Sequence, residues 1–289
     1  MSRLLTRRQA LAGALSLPFV SRALAAAPSP EAELADLERR SGGRLGVSVL
    51  DLGSIRRFGY RPDERFAMCS TFKLLAAGYV LARVDRGEER LDRRIVVRES
   101  DLVPYAPAVE KRLGGDGMTM SELCDAAITL SDNAAANLIL ASYGGPAGLT
   151  AYLRSIGDDV TRLDRNEPTL NEATPGDPRD TTSPAAILDT TRKLVLGDAL
   201  SASSREQLKA WLIANTTGGA RIRAGVPKDW IVGDKTGTGD KATSNDVAVL
   251  WPPGREPVLL TVYFTGSALS RDTQSKVIAD AASIVVRGL

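Results

Sequence analysis

The order of strand-like and helix-like segments along the 289-residue chain is the feature that most restricts its fold. Aliphatic and β-branched runs at residues 44–51, 230–236, 246–251 and 258–264 predict strands, and a shorter strand is expected to end near Tyr60. The stretch between these two groups carries apolar side chains at helical spacing. A sheet built from these strands must therefore use both ends of the chain, with the helical middle as an insertion.

Capping residues and glycines mark where the helices begin and end. Ser29-Pro30-Glu31 combines an N-cap, a first-turn proline and an early acid, and Gly42-Gly43 predicts the end of that helix. Capping boxes at Thr119-Met120-Ser121-Glu122 and Ser203-Ser204-Arg205-Glu206 predict two further starts, the second before a helix to about Asn215. The other expected helices are 71–86, 133–142, 146–156, one beginning at Ser183-Pro184, and 270–287.

The expected fold class is α/β, in the form of an α+β sandwich. A five-stranded antiparallel sheet is flanked by helices, and an all-helical lobe is inserted into it. Residues 28–62 and 217–289 are expected to form the α/β lobe, and residues 63–216 the helical lobe. Residues 162–182 are rich in proline and polar side chains and predict a long loop, which in a compact domain is usually functional or disordered. A cleft between two such lobes is a usual ligand site.

The chain has no histidine, which excludes a Ser-His-Asp triad, a Cys-His dyad and a His-ligated zinc site. Acid–base chemistry must then use carboxylates, Lys, Tyr or Ser. Residues 1–27 hold four arginines and no acid, so the rest of the chain carries 33 basic and 35 acidic side chains. This nearly neutral body gives no electrostatic reason to bind nucleic acid or an anionic membrane, and aromatic residues, at 5%, are too few for a nucleobase-stacking surface.

Residues 1–27 have the features of an export signal. Three arginines precede a short apolar run at residues 10–20, and the alanine-rich residues 23–27 supply a small-x-small cleavage site. The run is too short to span a bilayer. Thr6-Arg7-Arg8-Gln9-Ala10-Leu11 resembles a twin-arginine signal, which implies export of the folded protein to the periplasm or beyond, without membrane attachment. An ordinary secretory signal and a buried first helix are the alternatives.

Three short motifs combine nucleophilic, amide and cationic side chains. In Ser70-Thr71-Phe72-Lys73, at a helix start, the first and last residues share a face, so Lys73 is expected to hydrogen-bond the Ser70 hydroxyl. The free N–H groups of a helix start also favour a developing oxyanion. Ser131-Asp132-Asn133 falls between two predicted helices, and Lys235-Thr236-Gly237 ends a predicted strand. Each motif alone also fits an ordinary cap, turn or exposed side chain.

Together and in this order, the three motifs resemble those of the serine penicillin-recognising enzymes, which include class A β-lactamases and penicillin-binding proteins. Arg165-Asn166-Glu167-Pro168-Thr169-Leu170-Asn171 is similar to the Ω-loop signature of class A β-lactamases, whereas penicillin-binding transpeptidases lack that Glu. The resemblance covers nearly the whole mature chain, includes Tyr105 and residues 216–225, and is nearest to the cefotaximase-like, extended-spectrum branch. Residues 162–180 would then be the Ω loop.

The resemblance implies hydrolysis of the β-lactam amide of penicillins and cephalosporins through an acyl-serine intermediate, which confers antibiotic resistance. Ser70 is implied as the nucleophile, and Lys73, or Glu167 through a water, as the base that takes its proton. Ser131 is implied to relay a proton to the departing nitrogen. Glu167 and Asn171 would then hold the water that hydrolyses the serine ester.

The resemblance also implies a set of substrate contacts. Lys235 and Thr236 would hold the substrate carboxylate, and Arg221 would add positive charge nearby. Asn133 would contact the acylamide side chain, and Tyr105 would wall the cleft. The full set of implied substrate-binding residues is Tyr105, Asn133, Asn171, Lys235, Thr236, Gly237, Thr238 and Arg221.

Three structural features follow from the same resemblance. Backbone N–H groups of Ser70 and Thr238 would form the oxyanion hole. Arg165 and Asp180 would form an ion pair that closes the neck of the Ω loop, the alternative being two exposed charges of little energetic value. The Glu167–Pro168 bond would be cis.

The two cysteines depart from the pattern of some class A enzymes. Cys69 and Cys124 each match one half of a disulfide found in such enzymes, but the partner positions hold Gly239 and Ala77. Both thiols are therefore expected to be free and buried, behaving as small hydrophobes. The missing Cys69 partner also lowers the expectation of efficient carbapenem hydrolysis.

No cofactor and no metal are implied, β-lactams are the expected partners, and a monomer is expected. Two alternatives remain at this point: a DD-peptidase acting on peptidoglycan, and a penicillin receptor that is acylated without turnover. Glu167 and Asn171 argue against the first. The second would usually need a membrane tether, which the sequence does not predict.

Overall fold

The structure is a computed structural model that describes residues 28–289, so the export-signal prediction for residues 1–27 lies outside the described part. The strands are β1 (Arg44–Asp51), β2 (Arg56–Tyr60), β3 (Phe66–Ala67), β4 (Arg94–Ile95), β5 (Met118–Thr119), β6 (Thr181–Thr182), β7 (Ile231–Gly239), β8 (Thr243–Trp251) and β9 (Val258–Thr265). The helices are α1 (Pro30–Ser41), α2 (Phe72–Asp85), α3 (Met120–Thr129), α4 (Asn133–Ala141), α5 (Gly145–Ser155), α6 (Pro184–Val195), α7 (Ala202–Ile213), α8 (Ile222–Gly225) and α9 (Arg271–Arg287).

A five-stranded antiparallel sheet has the strand order β2-β1-β9-β8-β7. Strands from the beginning of the chain therefore pair with strands from its end, and α2–α7 lie between them in sequence. This arrangement confirms the predicted fold class. The short pairs β3–β6 and β4–β5 were not predicted, because two-residue strands leave no periodic pattern in the sequence.

Hydrophobic side chains on the two faces of the sheet belong to two separate core clusters. Leu45, Val47 and Val49 of β1 pack with apolar residues of α1 and α9. Leu259 and Tyr263 of β9 point to the opposite face and pack with residues of α2 to α7. Successive side chains of a strand point to opposite faces of the sheet, so apolar residues on both faces indicate that helices cover both.

Helix α2 lies at the centre of the larger cluster. Ten of its fourteen residues are buried, so the helix is enclosed on most sides. Gly78 is needed for this packing, because a Cβ there would lie 2.8 Å from the Leu194 side chain of α6. The start of α2 is consequently held deep in the molecule. Among the helices described between residues 28 and 289, none combines the length and the apolar composition required to cross a membrane.

Two predicted boundaries were wrong. Strands β7 and β8 extend to Gly239 and begin at Thr243, so Lys235-Thr236-Gly237 lies inside a strand instead of at its end. The aliphatic pattern stops early, but the backbone pairing continues through Thr236 opposite Asp246. Pairing of main-chain groups is independent of side-chain polarity, which is why the pattern underestimated both strands.

The start of α7 also differs from the prediction. Ser201, not Ser203, is its N-cap, and the Ser201 hydroxyl accepts the Ser204 N–H at 3.3 Å. The predicted capping box with Glu206 is absent. Asp85, at the end of α2, accepts the Ser201 N–H at 2.7 Å and therefore fixes the earlier start by a tertiary contact.

Ile55 at the tip of the β1–β2 hairpin has a φ of 57°, although its side chain is 74% exposed. A β-branched residue in the left-handed region is sterically strained. We expect Ile55→Asn to raise the free energy of unfolding by about 1 kcal/mol, because Asn tolerates this conformation. Urea unfolding measures the change, and Ile231→Asn, at a 53% exposed position in β7, is the control that should not stabilise the protein. An unchanged or reduced stability of the Ile55 variant would contradict the strain argument.

Candidate active site

Ser70 lies in a 3₁₀ turn, Cys69–Thr71, that leads directly into α2. Cys69 has a φ of 47°, which is uncommon for a residue other than glycine. The Thr71 hydroxyl donates to the Met68 carbonyl at 2.9 Å and holds the turn. Strained backbone of this kind clusters at functional sites. Here it presents Ser70 to a cleft while leaving its side chain largely buried.

Lys73 lies one helical turn after Ser70, and its side chain is fully buried. Its Nζ donates to the Ser131 carbonyl at 2.8 Å and to Asn133 Oδ1 at 2.6 Å, and it lies 3.0 Å from Glu167 Oε1. These contacts use the three N–H groups of an ammonium. The predicted hydrogen bond between Lys73 and Ser70 is therefore wrong. The Ser70 hydroxyl donates instead to Glu167 Oε1, 3.2 Å away.

Two lysines lie beneath the cleft, and burial acts on both. Burial lowers the pKa of Lys73, because an ammonium is less stable away from water, whereas the Glu167 carboxylate opposes this change. Burial lowers the pKa of Lys235 well below its ordinary value, and the charge of Lys73 lowers it further. The site therefore contains cations that release a proton more readily than exposed lysines do.

The turn between α3 and α4 carries Ser131, whose φ is 60°. Asp132 caps α4 by accepting the Ala135 N–H at 2.9 Å. Its other carboxylate oxygen accepts the N–H groups of Ala108 and Val109 at 2.9 and 3.0 Å. Asp132 thus ties the loop on one rim of the cleft to the turn that carries Ser131. The Ser131-Asp132-Asn133 motif predicts that Asp132 caps α4. It does not predict the hydrogen bonds to Ala108 and Val109, which depend on tertiary packing.

Glu167 reaches the cleft from the Ω loop, and its Oε2 accepts from Asn171 Nδ2 at 2.5 Å. Asn137 of α4 binds the main chain of Glu167 on both sides, donating to its carbonyl and accepting from its N–H, each at 2.9 Å. The Glu167–Pro168 bond is cis, as predicted. Asn137 was not identified from the sequence, because it stands in no motif and its neighbours predict only a helix.

The neck of the Ω loop is closed by contacts of Asp180. Arg165 Nε donates to Asp180 Oδ2 at 2.6 Å, and the backbone N–H groups of Asp164 and Arg165 donate to Oδ1 at 2.8 and 2.9 Å. Arg165 also forms an ion pair with Glu172 at 2.5 Å. The Asp180 carboxylate is buried, so its contact with Arg165 is shielded from water.

Strand β7 forms the opposite wall of the cleft and lies close to the turn that carries Ser70. A Cβ at Gly237 would lie 2.6 Å from the Met68 carbonyl oxygen, and a Cβ at Gly239 would lie 2.5 Å from Cys69 Sγ. Only glycine permits so close an approach of two backbones. These two glycines therefore set the width of the cleft.

Two cationic side chains, Lys235 and Arg221, connect β7 to its surroundings. Lys235 Nζ donates to the Ser131 hydroxyl at 3.0 Å, which links β7 to the turn between α3 and α4. Arg221 donates to the Thr238 hydroxyl at 2.6 Å and to the Gly237 carbonyl at 2.7 Å. Arg221 is mostly buried, and its charge acts on Lys235. Arg221 thus places a second positive charge near Lys235.

A cavity of about 350 Å³ lies between these walls, and its lining residues are Ser70, Tyr105, Ser131, Asn133, Asn171, Thr217, Arg221, Thr236, Thr238 and Arg271. Thr217 and Arg271 are the two lining residues that the sequence did not single out. Arg271 is the first residue of α9, and neither α9 nor its N-cap suggests a role in a cleft. A cavity of about 670 Å³ lies on the other side of the Ω loop, but Ser70, Ser131 and Asn133 line the smaller one.

Cys69 and Cys124 are both free and buried, as expected. Burial raises the pKa of each thiol above its ordinary value. A buried thiol with a raised pKa is chemically inert. Within residues 28–289, no group of three or more His, Cys, Asp or Glu side chains is placed to hold a metal ion.

Two buried aspartates lie behind β7. Asp234 accepts from Asn215 Nδ2 at 2.6 Å and from Arg223 Nε at 2.5 Å, and Asp246 accepts the Ile222 N–H at 3.1 Å. The two carboxyl groups lie close enough for each to affect the protonation of the other. Burial raises the pKa of Asp246 well above its ordinary value, and the negative charge of Asp234 adds to this effect. A proton shared between the two groups follows from their proximity.

Comparison with known proteins agrees with this geometry. A sequence model described as the Beta-lactamase enzyme family matches residues 29–289. The solved structure of an ancestral (GNCA) class A β-lactamase superposes with a TM-score of 0.89 at 63% identity, covering 90% of this chain and all of that one. The chain belongs to the class A β-lactamases. The activity of this β-lactamase is therefore hydrolysis of the β-lactam amide, which underlies resistance to these antibiotics.

Two relatives of known name are similar to this chain over nearly its whole length. Beta-lactamase OXY-2 of Klebsiella oxytoca is 49% identical over 280 residues, which cover 96% of each chain. Beta-lactamase Toho-1 of Escherichia coli is 48% identical over 285 residues, which cover 98% of each chain. The similarity to these class A enzymes extends over the whole domain, and it gives no support to a DD-peptidase or a penicillin receptor.

A side chain at Gly237 would disturb the close approach of β7 to the Ser70 turn. We expect Gly237→Ala to lower the stability of the β-lactamase by about 1–3 kcal/mol and to reduce its activity, because the added Cβ would push β7 away from the Ser70 turn. Thermal unfolding and a nitrocefin assay measure the two effects. Gly219→Ala is the matched control, since a Cβ at Gly219 meets open space. Equal behaviour of the two variants would rule out a role for Gly237 in spacing the walls.

The raised pKa of Asp246 predicts a pH dependence of stability. The folded protein keeps a proton that the unfolded chain loses above a pH of about 4, so this contribution to the free energy of unfolding falls as pH rises. Asp246→Asn removes the titration and preserves the shape. We expect the stability of the variant relative to wild type to increase between pH about 4 and about 8, measured by thermal unfolding. The exposed control Asp229→Asn should show no such trend, and a flat difference for Asp246→Asn would disprove the argument.

Proposed function

We propose that Ser70 is the nucleophile of this β-lactamase and that Glu167 is the base in both halves of the reaction. The observation that carries this proposal is the contact of one carboxylate oxygen, Glu167 Oε1, with both the Ser70 hydroxyl and the Lys73 ammonium. A carboxylate in this position can accept the proton of the Ser70 hydroxyl directly. The Lys73 ammonium also donates to the Ser131 carbonyl and to Asn133 Oδ1. Its proposed role is therefore that of a fixed positive charge beside the Glu167 carboxylate.

In the acylation step, the Ser70 oxygen attacks the lactam carbonyl carbon while its proton passes to Glu167. The backbone N–H groups of Ser70 and Thr238 would stabilise the oxyanion, and removal of one such donor typically costs about 10²–10³ in rate. The carbon–nitrogen bond then breaks, and the Ser131 hydroxyl gives its proton to the nitrogen. Lys235 supports this transfer because it donates to the Ser131 oxygen and thereby leaves the hydroxyl proton free. Ser131 is reprotonated at the expense of the proton that Glu167 took from Ser70, so the Glu167 carboxylate is ionised again before the second step.

In the second step, water hydrolyses the ester. Asn171 holds Glu167 through its Nδ2, and its buried Oδ1 has no protein hydrogen-bond partner among the described residues. A buried acceptor of this kind next to a carboxylate suits a water molecule, which needs polar partners on both sides. Glu167 takes one proton from this water as the water oxygen attacks the ester carbonyl carbon. The bond from that carbon to the Ser70 oxygen then breaks, and Glu167 returns the proton to Ser70, its hydrogen-bond partner.

Substrate is proposed to bind along β7. Thr236, Thr238 and Arg221 would bind the substrate carboxylate together with the charge of Lys235, and Gly237 would let the substrate lie close to the strand. On the other wall, Asn133 would contact the acylamide group, because its Nδ2 donates one N–H to the Pro104 carbonyl and retains a second. Tyr105 is 61% exposed at the rim, where an aromatic ring can cover bound substrate.

We also propose how the Ω loop is kept closed, how the chain divides into lobes, where the enzyme acts and in which oligomeric state. The Arg165–Asp180 pair would keep the Ω loop closed over Ser70. Residues 28–62 with 217–289, and residues 63–216, would form two lobes that meet at the cleft. The signal in residues 1–27 would direct export by the twin-arginine route to the periplasm. The mature enzyme would act there as a monomer on β-lactams, without binding nucleic acid or membrane.

The test of the mechanism is Glu167→Gln, which keeps the shape of the side chain but cannot act as a base. We expect ester hydrolysis to slow by about 10²–10⁴-fold, so that intact mass spectrometry after addition of a penicillin detects an acyl adduct. Ester formation should slow as well, because it uses the same base, but less than ester hydrolysis, because the strained β-lactam carbonyl is more reactive than the ester.

Two variants serve as controls for this experiment. Glu172→Gln changes a carboxylate on the same loop that pairs with Arg165, and it should turn over penicillin without an adduct. Ser70→Ala should form no adduct and show no hydrolysis. Normal turnover by Glu167→Gln, with no adduct, would reject the proposed base.

A further inference from the structure

The hydroxyl groups that face the proposed carboxylate site differ in what donates to them. The Thr238 hydroxyl accepts from Arg221 Nη2 at 2.6 Å, and the Ser131 hydroxyl accepts from Lys235 Nζ at 3.0 Å. A hydroxyl that accepts from a cation keeps its own proton free to donate elsewhere. Both groups are thus prepared to donate to an anionic substrate.

Thr236 has no such cationic donor among the described residues. Its hydroxyl oxygen lies 2.5 Å from the Thr217 hydroxyl oxygen, and one proton must lie between the two atoms. Whether Thr236 has a proton to give to a substrate therefore depends on which of the two threonines is the donor. Thr236 is 4% exposed, so water has little access to take the place of Thr217.

The other partner of Thr217 is Asn215. Asn215 Oδ1 accepts the Thr217 N–H at 3.0 Å and lies 2.8 Å from the Thr217 hydroxyl, while Asn215 Nδ2 donates to Asp234 at 2.6 Å. A backbone N–H can only donate, so the Thr217 N–H requires the oxygen of Asn215 and fixes the orientation of the amide. The Thr217 hydroxyl can then donate either to Asn215 or to Thr236, and Asn215 keeps the backbone N–H in both cases.

We propose that Thr217 is a positioning residue for the substrate carboxylate: it donates its hydroxyl proton to Thr236 and so directs the Thr236 proton to the substrate. When the cleft is free, the Thr217 proton points to Asn215 and the Thr236 proton to Thr217. When a carboxylate binds, both hydroxyl groups rotate, and a chain of two hydrogen bonds runs from Thr217 through Thr236 to the anion. Such chains strengthen each bond by mutual polarisation.

The inference rests on the proposed role of Thr236 in binding the substrate carboxylate. Thr217 lines the cleft beside Thr236 and is partly exposed, so it lies within the same site. The buried Asp234, which accepts from Arg223 as well, anchors the far end through Asn215. The specificity for an anionic group would thus extend from the cleft to the buried acids behind β7.

A pair of variants and a pair of substrates test this proposal. Thr217→Ala and Thr217→Ser differ by the hydroxyl alone, and a β-lactam and its carboxyl methyl ester differ by the negative charge. For the free acid, we expect Thr217→Ala to raise KM about fivefold with kcat changed less than about twofold, whereas Thr217→Ser should match wild type. For the methyl ester, the Ala and Ser variants should have equal KM and kcat.

Three results would overturn the inference, and they have different meanings. If Thr217→Ala impairs the acid and the ester alike, or if Thr217→Ser fails in the same way, Thr217 has only a structural role. If wild type prefers the acid but Thr217→Ala keeps the full preference, Thr236 binds the carboxylate without help from Thr217. If wild type shows no preference for the acid, the proposed carboxylate site is itself wrong, and the inference fails with it.

Discussion

The buried ion pair between Lys73 and Glu167 is the contact on which the rest of the site depends. Lys73 belongs to α2 and Glu167 to the Ω loop, their charged atoms are 3.0 Å apart, and neither side chain is exposed to solvent. Loss of one partner would leave an unpaired buried charge, which typically costs about 3–5 kcal/mol. The position of the loop and the surroundings of Ser70 are therefore coupled through a single carboxylate.

The Ω loop is fixed at several points so that this carboxylate cannot move away. Asp180 holds the neck through Arg165, and Asn137 binds both main-chain groups of Glu167. At the other side, the Asp240 N–H donates to the Asn171 carbonyl at 2.8 Å and joins the loop to the end of β7. A loop of irregular backbone can place a reacting group accurately only if its polar groups are satisfied in this way.

The individual elements were largely predictable, whereas the contacts between them were not. Ser131-Asp132-Asn133 lies between α3 and α4 as expected, and the sheet uses both ends of the chain. The expected Lys73–Ser70 hydrogen bond failed because an α-helical spacing fixes which face two residues share, but not which of several acceptors a long side chain chooses. Asn137 and Arg271 were missed, and Thr217 was noted only within residues 216–225 and without a role, because each belongs to the site only through tertiary packing.

The sequence by itself determined the fold class, the family and the set of reactive side chains, because periodicity, caps and ordered motifs are local properties of the chain. The tertiary structure decided which groups touch: Ser70 donates to Glu167, Lys235 to Ser131, and the hydroxyl groups of Thr217 and Thr236 share a proton. Hydrogen-bond direction depends on distances of a few tenths of an ångström between residues far apart in sequence. Only the packed arrangement of α2, the Ω loop and β7 sets those distances.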